Sequence, residues 1–315
     1  MTTFAYYPGC SLKGTGRAYE ESLLPVLAAL GIKLEELADW NCCGATAYMA
    51  VDEVKACVMA SRNLALAEQL GHRELVTPCS ACYLVLNKTK QYLGESRAVA
   101  QVVQRALGLV GLSYQGNVPV RHPLDLLVNV VGLPAIKERV RDPLTGLKVV
   151  PYYGCQLVRP YATFDDQDRP TSMDRLLGVL GATVVPYPLK TRCCGGSLTG
   201  TLPEPGLHCA YILLKEAVKR GAEVIATVCP LCQFNLDAYH HKIAAKWGPV
   251  RVPTVYFTQL MGLAFGLPAR QLGLHRGLVP FAFEAGARRP EREVVPPDRP
   301  PPATPACRAG GPLAS

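Results

Sequence analysis

FAYYPGC (residues 4–10) opens the chain as an apolar, aromatic strand that stops at Pro8-Gly9 and sets Cys10 just past its tip. KVVPYYGC (residues 148–155) does the same for Cys155 half a chain later. Working outward, each is followed by an adjacent pair, Cys42-Cys43 or Cys193-Cys194, and then by a Cys-x-x-Cys, Cys79/Cys82 or Cys229/Cys232. The gaps are alike, 31 and 35 residues in the first set, 37 and 34 in the second. Two sets of five thiols in one order mark an internal duplication, which has to be read before a fold is assigned.

Between the cysteines the pattern alternates. Residues 17–30 place Leu23, Val26, Leu27 and Leu30 at helical spacing before Gly31; residues 34–40 read as a strand leading to Cys42-Cys43. Residues 52–70 form an amphipathic helix closed by Gly71, residues 74–77 a brief strand, and Pro78-Cys79 turns into a helix carrying Cys82, Leu84 and Leu86. The second half repeats this with a helix over 173–180, ATVVPYPLKTRCCGG (182–196), a helix to about 220 and EVIATVCPLC (223–232). Strand, helix, strand, helix predicts an α/β fold: two tandem pseudo-symmetric domains, each a small parallel sheet with flanking helices. Ligands gather at the carboxyl ends of the strands of such sheets, so each five-cysteine set is expected to converge there.

The duplication runs past the cysteines. VPVRHPLDLLVNVVGLPA (118–135) aligns without gaps on VPTVYFTQLMGLAFGLPA (252–269), with seven identities at a constant offset of 134. The first half carries 35 residues between Cys82 and Val118 against 19 between Cys232 and Val252, so a longer helix and loop are expected near 88–116. The Asp142-Pro143-Leu144-Thr145-Gly146 cluster sets the boundary: a first domain over 1–145 and a second over 146–287. Residues 288–315 hold eight prolines and read as a disordered tail, with Cys307 in it.

The chain has 315 residues, 49% of them hydrophobic, and a net charge of +8, of which +6 remains without the tail. There is no run of Lys and Arg, so nucleic acid is not an expected partner. Apolar stretches are broken well short of the roughly 20 residues of a membrane span, and the start lacks a secretory pattern, so a cytoplasmic protein is expected. A reducing compartment turns 13 cysteines toward metal binding or catalysis rather than structural disulfides.

Clustered thiolates select zinc, copper(I) or iron-sulfur groups. A structural zinc ion is closed by four ligands, usually two close pairs. Five thiols with an adjacent pair suit separate irons of a larger cluster better, and the glycines beside them (Gly9, Gly44, Gly154, Gly195, Gly196) leave room for a bulky group. Zinc, and thiol-disulfide exchange without metal, stay open on spacing alone.

The doubled motif resembles the paired cysteine-rich CCG domains of the B-type subunits of heterodisulfide reductases. YYPGCSLKGTGRAYEES (6–22) and DWNCCGATAY (39–48) are similar to bacterial members of that family, and the likeness covers about residues 1–280. The resemblance implies two non-cubane [4Fe-4S] clusters, one on Cys10, Cys42, Cys43, Cys79 and Cys82 and one on Cys155, Cys193, Cys194, Cys229 and Cys232. It implies reductive cleavage of a disulfide between them, fed by a C-type iron-sulfur subunit and an A-type flavin iron-sulfur subunit. The chain itself shows neither a flavin fingerprint nor a cubane-type cysteine run. Two rival readings are a related CCG subunit exchanging electrons with a quinone and a zinc-stabilised assembly scaffold. The quinone reading needs a membrane-contact helix; the apolar 257–267 stretch raises the question, and its repeat partner at 123–133 answers it as ordinary core.

Other polar candidates carry less. Cys57 and Cys209 sit among apolar neighbours and read as packing residues. His240 and His241 read as a helix-surface pair, with a proton-donor role as the alternative, and Lys190 and Arg192 as cations beside Cys193.

Overall fold

A computed structural model describes residues 2–45, 47–161 and 163–283. The expected tail, the end of the second domain and Cys307 lie outside the described residues. Two four-stranded sheets of identical topology make up the fold. In the first, β1 (Thr2–Tyr6), β2 (Ile32–Glu36), β3 (Leu75–Val76) and β4 (Val120–Arg121) run in the order β2-β1-β3-β4. In the second, β5 (Lys148–Tyr152), β6 (Thr183–Val184), β7 (Val224–Thr227) and β8 (Thr254–Tyr256) run β6-β5-β7-β8. Every pairing is parallel.

Parallel strands need crossovers and buried faces, and helices supply both. In chain order they are α1 (Arg17–Ala29), α2 (Glu53–Leu70), α3 (Ser80–Glu95), α4 (Arg97–Gly108), α5 (Ser172–Val179), α6 (Pro203–Lys219), α7 (Pro230–Ala238) and α8 (Phe257–Ala264). Local chemistry explains their ends. The Asp52 carboxylate accepts from the Lys55 N–H at the start of α2, and Gly71, at φ 78°, takes the left-handed turn that ends it.

Two elements differ from expectation. The strand placed at 34–40 lies at Ile32–Glu36, because its register is set by β1, whose Tyr6 pairs with Glu36; Asp39 then turns out at φ 53°. The extra residues of the first half form a separate helix, α4, because the Ser96 hydroxyl accepts from Val99 N–H and restarts the chain after α3. The apolar 257–267 stretch is core: Phe257, Leu260, Met261 and Ala264 of α8 are fully buried. Among the described residues no helix is long and apolar enough to cross a membrane.

The larger of two buried clusters spans both halves, and the smaller lies within the second half. Helix α8 of the second half packs on α1 of the first, and the turn Pro123–Asp125 after β4 packs reciprocally on α5. Tyr19 stacks on Tyr256 at 4.4 Å and 13°, and the hydroxyls of Ser22 and Thr258 meet at 2.6 Å. Leu23, Val26 and Leu27 therefore belong to the same buried cluster as Phe257, Leu260 and Met261.

His122 ties the halves at the equivalent place in the first repeat. Its Nε2 lies 2.9 Å from the Pro78 carbonyl and 3.3 Å from that of Val228, and its Nδ1 accepts from Leu124 N–H at 3.1 Å. One donor and one acceptor are what a neutral imidazole offers. Burial pushes its pKa down to about 4. The unfolded chain therefore takes up the proton first, so stability is full above about pH 6.5, falls between 6.5 and 4, and levels below. Urea unfolding should show His122 removing about 2 kcal/mol between pH 7 and pH 5, a loss absent from His122→Gln.

Candidate metal centre

All six cysteine motifs sit at the carboxyl ends of parallel strands. Cys10 follows β1, Cys42-Cys43 follows β2 and Cys79 follows β3; Cys155, Cys193-Cys194 and Cys229 follow β5, β6 and β7 in the same way. Cys79 and Cys229 each cap the helix that carries Cys82 or Cys232. Gly9 and Gly154, at φ 71° and 68°, let the chain turn at the strand tip. A Cβ on Gly9 would lie 3.0 Å from Cys82 Sγ, and one on Gly154 3.0 Å from Cys232 Sγ.

A tyrosine braces each set. Tyr7 donates to the Asn41 carbonyl at 2.9 Å, and Tyr152 donates to the Arg192 carbonyl at 2.7 Å. Each carbonyl belongs to the residue before a Cys-Cys pair, so the first and second strands of each sheet are held together just where their cysteines emerge. Sequence reading alone passes over these residues; a tyrosine three places before both Cys10 and Cys155 is the available signal.

The sulfurs of the two sets are neighbours rather than two separate knots. In the first set Cys43 Sγ lies 3.2 Å from Cys82 Sγ, and Cys42 and Cys79 act electrostatically on Cys43 and Cys82 in turn. In the second, Cys155, Cys193, Cys194, Cys232 and Cys229 each perturb the next in that order. Cys79 and Cys229 perturb each other across the two halves. Nine of the ten sequence-predicted thiols thus form one run of neighbours, symmetric about Cys79 and Cys229 from Cys42 to Cys193 with Cys155 beyond, while Cys10 is exposed within electrostatic reach of Cys42. Among the described residues no group of three or more His, Cys, Asp or Glu side chains is placed to hold a metal ion.

Every third thiol of this run is the acidic one. Cys42 and Cys82 hold Cys43 low, Cys155 and Cys194 hold Cys193 low, and Cys232 and Cys79 hold Cys229 low. Their neighbours are pushed up by the adjoining sulfurs and by burial. Neighbouring sulfurs cannot all ionise without a cationic group among them. A cavity of ≈ 220 Å³ opens beside the second set, lined by Cys155, Cys193, Cys194, Cys229 and Cys232 and by Ser80 of the first half. The hydroxyls of Ser80, Tyr19 and Tyr256 are buried there and at the junction without a hydrogen-bond partner. Soft donors, glycine cradles and unpartnered hydroxyls together fit a bulky sulfur-rich group.

The remaining candidates are occupied elsewhere. Cys57 is fully buried beside Thr89, and Cys209 is half-buried on α6. His240 Nδ1 lies 2.7 Å from the Val250 carbonyl. Lys190 donates to the Pro170 carbonyl and to Asp174, whereas Arg192 is exposed beside Cys193.

The glycine cradle can be tested without any cofactor. Alanine at Gly9 and at Gly31 forces the same left-handed strain, about 1–2 kcal/mol, but a Cβ on Gly31 meets nothing within 4 Å. Gly9→Ala should therefore lower the unfolding midpoint of the metal-free chain further than Gly31→Ala.

Comparison with known proteins agrees with this geometry. The CCG cysteine-rich domain profile matches residues 4–87 and 149–237, one match per half. The 8-methylmenaquinol:fumarate reductase membrane anchor subunit of Wolinella succinogenes is 36% identical over 88% of this chain and 96% of its own. A protein of Archaeoglobus profundus, similar to the B-type subunits of heterodisulfide reductases, is 30% identical over 87% of this chain and 94% of its own. The B-type subunit of the ferredoxin:CoB-CoM heterodisulfide reductase of Methanosarcina mazei is 28% identical over 89% and 94%. Among solved structures, a hypothetical protein from Helicobacter pylori shares the fold at a TM-score of 0.74 and 15% identity, over 90% of this chain and 53% of that one. With both CCG domains present and the likeness running through nearly the whole chain, this protein belongs to the CCG cysteine-rich family that includes the B-type subunits of heterodisulfide reductases.

Proposed function

We propose that the chain is the B-type subunit of a cytoplasmic heterodisulfide reductase-like complex, cleaving a disulfide reductively with two non-cubane [4Fe-4S] clusters. The observation that supports this reading is the gathering of nine of the ten thiols after the strand ends of both halves, with Cys79 and Cys229 neighbours across the junction. Cys10, Cys42, Cys43, Cys79 and Cys82 would hold one cluster and Cys155, Cys193, Cys194, Cys229 and Cys232 the other. When bound, the clusters would supply single electrons and an iron site for sulfur, and a disulfide needs two electrons.

The chain's own residues do the rest. Gly9 and Gly154 keep the backbone clear of Cys82 and Cys232. Tyr7 and Tyr152 fix the Cys-Cys loops, and the shared core of α1 and α8 keeps water from the junction. Electrons would come from a C-type iron-sulfur subunit and, beyond it, an A-type flavin iron-sulfur subunit, the partners that the family resemblance implies.

A second reading, electron exchange with a quinone, is favoured by the 36% identity to the menaquinol:fumarate reductase subunit. One set of measurements separates the readings. Protein purified without oxygen should carry about eight irons with matching sulfide and no zinc, and a Cys43→Ala, Cys82→Ala double variant about four. The dithionite-reduced protein should be reoxidised by a mixed disulfide. Reoxidation only by a menaquinone analogue would favour the quinone-linked role, and zinc without sulfide would leave the scaffold.

A further inference from the structure

The two cysteine sets are alike in backbone, but the side chains around them are not. Aligning the Cys-x-x-Cys motifs pairs Ser80 with Pro230 and Val85 with Asn235; the offset of 134 pairs His122 with Tyr256. At each pair, the uncommitted or sulfur-directed donor serves the second set.

Ser80 lies in the first half, is 1% exposed, has no hydrogen-bond partner, and lines the cavity beside the second set. Its counterpart Pro230 has no donor and packs so closely that a Cβ on Gly16 would come within 2.9 Å of it. Asn235, fully buried, donates to Gly196 O at 2.9 Å and to Cys194 Sγ at 3.5 Å; its counterpart Val85 offers only packing. His122 spends both ring nitrogens on backbone groups. Tyr256 leaves its hydroxyl unpartnered and buried, as does Tyr19, stacked on it. Tyr256 pairs in register with Thr227, two residues before Cys229, which sets its phenol donor on the strand next to the second set. On the first set the hydroxyl of Tyr7 is committed to the Asn41 carbonyl.

Hydrogen bonds to cluster sulfurs favour the reduced, more negative state and raise the potential. We propose that Ser80, Asn235 and Tyr256 make the second set the higher-potential end of the pair, so that an electron shared between the sets comes to rest at the one held by Cys155, Cys193, Cys194, Cys229 and Cys232. The inference rests on the cluster reading above. An electron passing from the first set to the second oxidises the one as it reduces the other, and the iron-sulfur subunit of the proposed complex would restore it.

The test is a redox titration of the full-length, cluster-loaded protein followed by electron paramagnetic resonance. Two potentials are expected. Ser80→Ala and Tyr256→Phe should each lower the higher one, by up to about tenfold in the ratio of reduced to oxidised, or 59 mV for one electron. Tyr7→Phe, which frees only the Asn41 carbonyl, should leave the higher one in place. Ser80→Ala and Tyr256→Phe give up no hydrogen bond of the structure, so folding is not at risk through bonding. Potentials unmoved by both, or a shift confined to the lower one, overturn the asymmetry alone. A chain that carries no iron overturns the cluster reading together with it, and its metal content shows this before any titration.

Discussion

The structure depends on one crowded contact, the meeting of Cys79 and Cys229. Each caps a helix at the end of a short central strand, and each belongs to a different half. Thiols packed this tightly cannot all ionise, and the protein has surrounded them with backbone it cannot easily move. The glycines at the strand tips, the tyrosine bonds to Asn41 and Arg192, and His122 across the Pro78 and Val228 carbonyls all hold main chain rather than sulfur. The site is set by its frame, and few of the frame's bonds reach sulfur: Cys43 accepts from Ala45 N–H, and Cys194 from Gly196 N–H and Asn235.

That frame explains why the halves share a core. A parallel sheet of four strands, two of them only two residues long, buries little by itself. Exchanging the element after the last strand onto the other half's first helix closes both sheets at once. It also brings their carboxyl ends together, so the packing that stabilises the fold is the packing that builds the junction.

Much of this is legible in the sequence, and for local reasons. Strand ends announced by Pro-Gly or Tyr-Gly, the six cysteine motifs and the constant offset between repeats predict the α/β class, the tandem halves and the gathering of thiols at the strand ends. What is not legible depends on long separations. Ser22 meets Thr258 across 236 residues, and nothing near either residue signals it. The closeness of the two sets, the role of His122 and the bracing by Tyr7 and Tyr152 arise from the same tertiary closure. Helix α4 departs from the sequence reading for a smaller reason: one serine cap splits the expected longer helix and loop into two helices.

The pair formed by His122 and Tyr256 has a consequence for descent. Two copies of a single ancestral half, associating as a symmetric dimer, would have to present the same residue twice at this position. A histidine on both sides would bridge the carbonyls twice, and a tyrosine on both sides would bridge them on neither. Joining the copies into one polypeptide removed that obligation, and each side could then change alone. A fused duplicate can give a symmetric scaffold an inlet and an outlet, which no homodimer of its parent could encode.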